Sequence, residues 1–161
     1  MKKLIYTFLI IVALTGNSFS AGTTSGSSDG SSSYVKEKNL IKSAKKDEKK
    51  GKTEKAQKKY AKAQKLLLKS NKEKPLQADT LNYLGFTTRK LGDYEKGEAF
   101  YLQGLKIEPN HNGINEYLGE LYIATNRMDL AKERLNILKS CDCKEYKQLK
   151  EIVEGTKKSK Y

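Results

Sequence analysis

Two stretches of the chain repeat one another at a fixed offset of 34 residues. Leu84-Gly85 recurs as Leu118-Gly119, and Asn82-Tyr83 as Glu116-Tyr117. Gly92 corresponds to Asn126, and both residue types tolerate positive φ. Gly97 corresponds to Ala131, a small residue at a point where helices would touch. Tyr101 corresponds to Leu135, and the match fails where Leu105 meets Lys139. A fixed period of this length marks stacked units, each burying its apolar face against its neighbours. Within a unit the apolar spacing reads as two helices. Leu81, Leu84 and Leu91, with Gly85, share one face of 78–91, and Tyr94, Gly97, Tyr101 and Leu105 form a stripe over 94–107. Gly92-Asp93 is the turn, with Gly closing one helix and Asp capping the next, and Pro109-Asn110 ends the unit. The second unit repeats the pattern with Ile114, Leu118, Leu121 and Tyr122, then Leu130, Ala131, Leu135 and Leu138.

These residues resemble the tetratricopeptide repeat family over 78–145, nearly position for position in the first unit. The aromatic usual three residues after the Leu-Gly pair is Thr88 in one unit and Tyr122 in the other. The usual closing Pro is Pro109, replaced near Cys143. The resemblance implies an all-α fold: a right-handed α-solenoid of about three helix-turn-helix units with a C-terminal capping helix.

The units at 78–111 and 112–145 are preceded by a divergent, lysine-rich first unit at 34–77. There Gly51-Lys52-Thr53-Glu54-Lys55-Ala56 resembles Gly92-Asp93-Tyr94-Glu95-Lys96-Gly97. Ala56, Tyr60, Ala63 and Leu67 form a stripe, with Leu40, Ile41 and Ala44 on the helix before it. This frame leaves seven extra residues before Ala78, two helical turns that preserve the face with about 20° of drift. A strict 34-residue frame instead aligns Gly51 with Gly85 and puts Asp47 and Lys50 at core positions, so the extended second helix is preferred. Residues 146–161 are expected to hold a capping helix and tail. In that segment Tyr146, Leu149, Ile152 and Val153 share one face, and lysines solvate the other.

Residues 1–20 read as a secretory signal peptide. Lys2 and Lys3 precede the apolar run Leu4 to Leu14, and small residues flank a cleavage point after Ser20. The run is too short to span a membrane, which takes roughly 20 apolar residues. Residues 21–33 are Gly, Ser and Thr with one Asp and read as a flexible linker. The expected location is the bacterial periplasm, with the exported chain soluble after cleavage.

Lys plus Arg number 32 and Asp plus Glu 19, a formal charge of +13. The excess is local, because Lys36 to Lys74 holds 16 lysines and five acids. Three readings compete: a solvated helix face, attraction to anionic lipid or polymer of the envelope, and nucleic acid. Export counts against nucleic acid, as does a stretch with Tyr60 as its sole aromatic after Tyr34 and no Arg.

Little in the sequence supports catalysis. One His and two Cys leave too few ligands for a protein-only zinc site, and His111 falls in a connection between units. There is no phosphate-cradling glycine loop and no Ser-His-Asp arrangement. No cofactor, metal or enzymatic activity is expected. Glu116 and Glu120, four apart on one helix, read as a solvated pair, as part of a partner groove, or as an acid–base pair. Cys141 and Cys143 are candidates for a disulfide in an oxidising compartment, with metal binding or thiol exchange as rivals. The resemblance places Asn82, Phe86, Arg89, Glu116, Glu120 and Ile123 on the first helices of their units, facing a concave partner-binding groove. The expected function is thus a non-catalytic scaffold, an adaptor or assembly factor for another envelope protein or peptide segment. The alternative is an envelope-surface protein binding anionic lipid or polymer through Lys36–Lys74. Self-association is left open.

Overall fold

The computed structural model describes residues 29–159. The signal reading at 1–20, most of the 21–33 linker and the last two tail residues lie outside them. Among the described residues seven helices follow one another: α1 (Asp29–Lys49), α2 (Thr53–Glu73), α3 (Ala78–Lys90), α4 (Tyr94–Ile107), α5 (Asn112–Ala124), α6 (Met128–Leu138) and α7 (Lys144–Val153). The described residues contain no strand. Helices α1 and α2, α3 and α4, and α5 and α6 pair as antiparallel hairpins. Successive hairpins stack through α2 on α3 and α4 on α5, and α7 closes the stack against α5 and α6. This is the all-α helical solenoid that the period implies.

One backbone device ends the first helix of every hairpin. At Gly51, Gly92 and Asn126, φ is 71°, 98° and 58°. The following amide bonds a carbonyl five residues back: Lys52 to Asp47, Asp93 to Thr88 and Arg127 to Tyr122, at 2.9, 3.2 and 2.7 Å. That closure satisfies helix-end carbonyls that would otherwise lack partners. Gly155 closes α7 in the same way, with φ 72° and a Thr156 to Glu151 bond of 2.9 Å. Helix α7 thus ends as the first helices of the hairpins do.

The spacing of these turns explains the first unit. Helix α2 has 21 residues where α4 has 14, the two-turn extension expected from the frame that places its turn at Gly51. Ala56, Tyr60, Ala63 and Leu67 are all buried along it. Helix α1 also runs to 21 residues. The extra turns meet, since the Ser70 hydroxyl donates to Glu37 at 2.6 Å and Glu37 is fully buried. This corrects the linker boundary: Asp29 to Ser33 are helical rather than part of a flexible linker. Once a helix is nucleated, each further residue adds its own backbone hydrogen bond, so a Gly/Ser composition does not by itself stop propagation. Helix α7 likewise starts at Lys144, two residues ahead of the expected cap.

The core forms two clusters. One holds Ile41, Ala44, Tyr60, Leu67, Leu81, Leu84 and Phe86. The other holds Tyr101, Ile114, Leu118, Leu121 and Ala131. Tyr117 packs against both, so the apolar seam is continuous from the first hairpin to the third.

Candidate functional site

The first helices of the hairpins line one side of the stack, and between them lies a cleft of about 940 Å³. Helix α1 supplies one wall with Lys38, Lys42, Lys45, Lys46 and Lys49. Helix α3 supplies Tyr83, Phe86 and Lys90, and α5 supplies Tyr117. The lining thus carries six lysines and one acid, Glu48. Glu48 is already held, by Lys90 at 2.6 Å and by the Tyr60 hydroxyl at 2.9 Å.

The aromatic floor is built on the core. Phe86 meets Tyr60 edge-on, with ring centres 5.8 Å apart, and tilts against Tyr117 at 5.0 Å. Lys45 reaches across from α1. Its ammonium lies 4.2 Å from the centre of the Phe86 ring and donates to the Tyr117 hydroxyl at 2.8 Å. A cation over an aromatic face is attracted by the ring quadrupole, which fixes Lys45 against the floor.

Of the residues that the sequence assigned to a groove, Phe86 borders the cleft, but it is only 2% exposed beneath Lys45, so Tyr83 and Tyr117 present the accessible aromatic surface. Asn82, Arg89, Glu116 and Glu120 are only 5, 2, 4 and 0% exposed, which corrects the expectation that they meet a partner directly. They fill the contact between α3 and α5. The Arg89 guanidinium donates to the Tyr117 carbonyl at 2.7 Å and lies 3.5 Å from the Glu120 carboxylate. It sits within 5.1–5.9 Å of the Phe86, Tyr101 and Tyr117 ring centres. Helical spacing assigns a residue to a face but does not say how closely the next unit approaches that face. Ile123 is half-buried and packs on the second core cluster, away from the cleft lining. With Arg89 beside Glu120 and solvent excluded from both acids, Glu116 and Glu120 are part of the packing between units rather than a solvated pair.

Two other assignments gain detail. Cys141 and Cys143 are bonded to each other in the turn before α7. His111 is a cap rather than a free loop residue: its Nδ1 accepts from the Ile114 amide at 3.1 Å and its Nε2 lies 3.3 Å from Asp79. Among the described residues no cluster of His, Cys, Asp and Glu is placed to hold a metal ion.

The sequence reading missed that the lysine-rich helix is itself a wall of the cleft. The signal was present in the spacing of Lys38, Lys42, Lys45 and Lys49, which recur at steps of four, three and four on one helical face.

Comparison with known proteins agrees with this architecture. Residues 78–111 match the family model described as tetratricopeptide repeat. No curated protein is significantly similar to the chain in sequence. Among solved structures, the chain is similar to the type III secretion chaperone SycD of Yersinia enterocolitica in complex with a peptide of the translocator YopD. That match has 17% identity and a TM-score of 0.52, over 73% of this chain and 86% of that one. It is also similar to PcrH in complex with the chaperone-binding region of PopD, at 16% identity and TM-score 0.51, over 74% and 86% of the two chains. A third likeness is to the first TPR of Spaghetti (RPAP3) bound to an HSP90 peptide, at 16% identity and TM-score 0.50, over 80% and 95%. At such identities these likenesses establish the fold. The chain contains a tetratricopeptide repeat and has the fold of such repeats.

Proposed function

We propose that this tetratricopeptide-repeat chain is a non-catalytic scaffold that holds a segment of another protein in the cleft between α1, α3 and α5. The observation that carries the reading is the cleft itself, an open space of about 940 Å³ floored by Tyr83, Phe86 and Tyr117. Apolar floors flanked by polar groups are what bound segments bury against. The structural neighbours lend support, since three of them are complexes with peptides or binding regions of other proteins. The floor supplies the apolar contact, and the lysine wall sets orientation and rate of encounter.

The proposed setting is the bacterial periplasm, on the reading of residues 1–20 as a signal peptide. Intact mass of the protein recovered from the periplasmic fraction should then correspond to a chain beginning at Ala21. The test of function is photo-crosslinking in intact cells. A crosslinking residue in place of Tyr83, which is half-buried at the cleft, should yield a reproducible protein adduct. The same residue at Leu102, exposed on the far face of α4, should not. Equal adducts from both positions, or none from Tyr83, would overturn the reading.

A second reading places an anionic lipid or polymer on the lysine-rich segment Lys36–Lys74 as a whole. It is favoured by the exposed lysines of α2, among them Lys55, Lys58, Lys62, Lys65 and Lys69, which point away from the core. Binding of that kind weakens steeply with ionic strength, whereas a segment seated on the aromatic floor retains its apolar contribution.

A further inference from the structure

We infer that the occupant of the cleft is an extended protein segment in which acidic residues alternate with apolar ones; this rests on the proposed function and specifies the partner's chemistry. Three observations on the cleft lead there.

The first is charge. Every acid in the lining is already engaged, because Glu48 is held by both Lys90 and Tyr60, while the wall of α1 is lysine. Lys38, Lys42 and Lys46 are all exposed. An occupant without negative charge would leave that wall uncompensated, so complementarity selects an anionic one.

The second is spacing. Lys38, Lys42 and Lys46 stand four residues apart on α1, which sets them about 6 Å apart along the helix axis. In an extended chain, side chains on the same side recur at about 6.6–6.8 Å. Carboxylates at every second residue therefore track the lysine row across its three lysines. The intervening side chains point away from the lysine row, toward the half-buried rings of Tyr83 and Tyr117. A run of consecutive acids would turn half its carboxylates onto the aromatic floor.

The third observation concerns the source of the segment. Residues 21–28 hold no Asp or Glu, and residues 1–20, removed on the signal-peptide reading, carry only Lys2 and Lys3, so neither supplies the anionic charge the cleft calls for. The C-terminal stretch Lys157-Lys158-Ser159-Lys160-Tyr161 is basic as well. A second copy brings a further net positive charge. None of these stretches alternates acids with apolar residues, so the occupant proposed is a segment of another protein.

The test is fluorescence anisotropy of the full chain with dye-labelled octapeptides. One alternates Glu with Leu, one has the same residues in two blocks, and one alternates Gln with Leu. The alternating acidic peptide should bind at least tenfold more tightly than either control. The double variant Lys42→Glu/Lys46→Glu should lose at least tenfold while keeping its helical circular dichroism, since both side chains are solvent-exposed. Equal binding of the Gln peptide would sink the inference yet leave a peptide groove standing. Equal binding of the blocked peptide would sink the alternation. Failure of all three peptides would sink the inference too, with the groove then judged by crosslinking at Tyr83. Vesicles containing phosphatidylglycerol form the last arm: if they bind and the alternating peptide does not, the lysine wall serves a lipid surface and the inference fails.

Discussion

At the scale of single residues, the repeat is held by what glycine leaves out and by one buried cation. A Cβ placed on Gly85 would lie 2.5–2.8 Å from ring atoms of Tyr101, which is itself fully buried and has no space to retreat. Gly85→Ala is therefore expected to lower unfolding free energy by about 1–3 kcal/mol in urea titration, the usual cost of overpacking. Arg89 is the larger lever. Its removal leaves the buried Glu120 carboxylate without its cation, so Arg89→Ala should cost about 3–5 kcal/mol by the same measurement. The tyrosines give the pH dependence. Burial pushes the hydroxyls of Tyr60, Tyr101 and Tyr117 well above the ordinary tyrosine value, with the bond to Glu48 adding to the effect at Tyr60. A group raised in the folded state contributes stability that is complete below the unfolded value, about pH 10, and is lost as pH climbs past it. Melting temperature should accordingly fall above about pH 10, and absorbance should show a set of tyrosines ionising only as helicity collapses. Ionisation of all ten tyrosines in one step, with helicity intact, would contradict this.

At the scale of elements, the hairpins follow from the sequence nearly to their ends. The stripe of Ala56, Tyr60, Ala63 and Leu67 placed α2, and Gly92 with Asp93 placed the turn into α4, where the Asp93 carboxylate accepts from the Lys96 amide at 3.0 Å. What periodicity did not convey was depth. Asn82, Arg89, Glu116 and Glu120 sit on the expected helices, yet they are sealed between α3 and α5, because neighbour distance depends on the volumes of both facing surfaces. The start of α1 at Asp29 was also illegible, since a Gly/Ser stretch carries no apolar stripe to mark a helix. Helix α7 shows the opposite case. Its apolar face was plain, and Leu149 packs onto Gly119, where a Cβ would meet it at 2.6 Å. Leu149→Ala should cost about 2–5 kcal/mol and loosen α7 first, visible as faster amide exchange in 144–153 than in 112–124.

At the scale of the whole molecule, the stack converts a row of first helices into one open face. The continuous seam running from Ile41 through Tyr117 to Ile114 fixes the three hairpins relative to one another. That rigidity leaves the cleft formed before a partner arrives, so little ordering free energy is spent on binding. It also joins two features that look separate along the chain, the lysine-rich first unit and the aromatic residues of the later ones, into opposite sides of the same space. The most direct measurement is amide hydrogen exchange of the full chain, alone and with the partner segment captured at Tyr83. Protection is predicted to rise in 38–49 and 83–90 and to stay unchanged on α4 and α6. Protection confined to α4 and α6, or none along the cleft, would contradict the account.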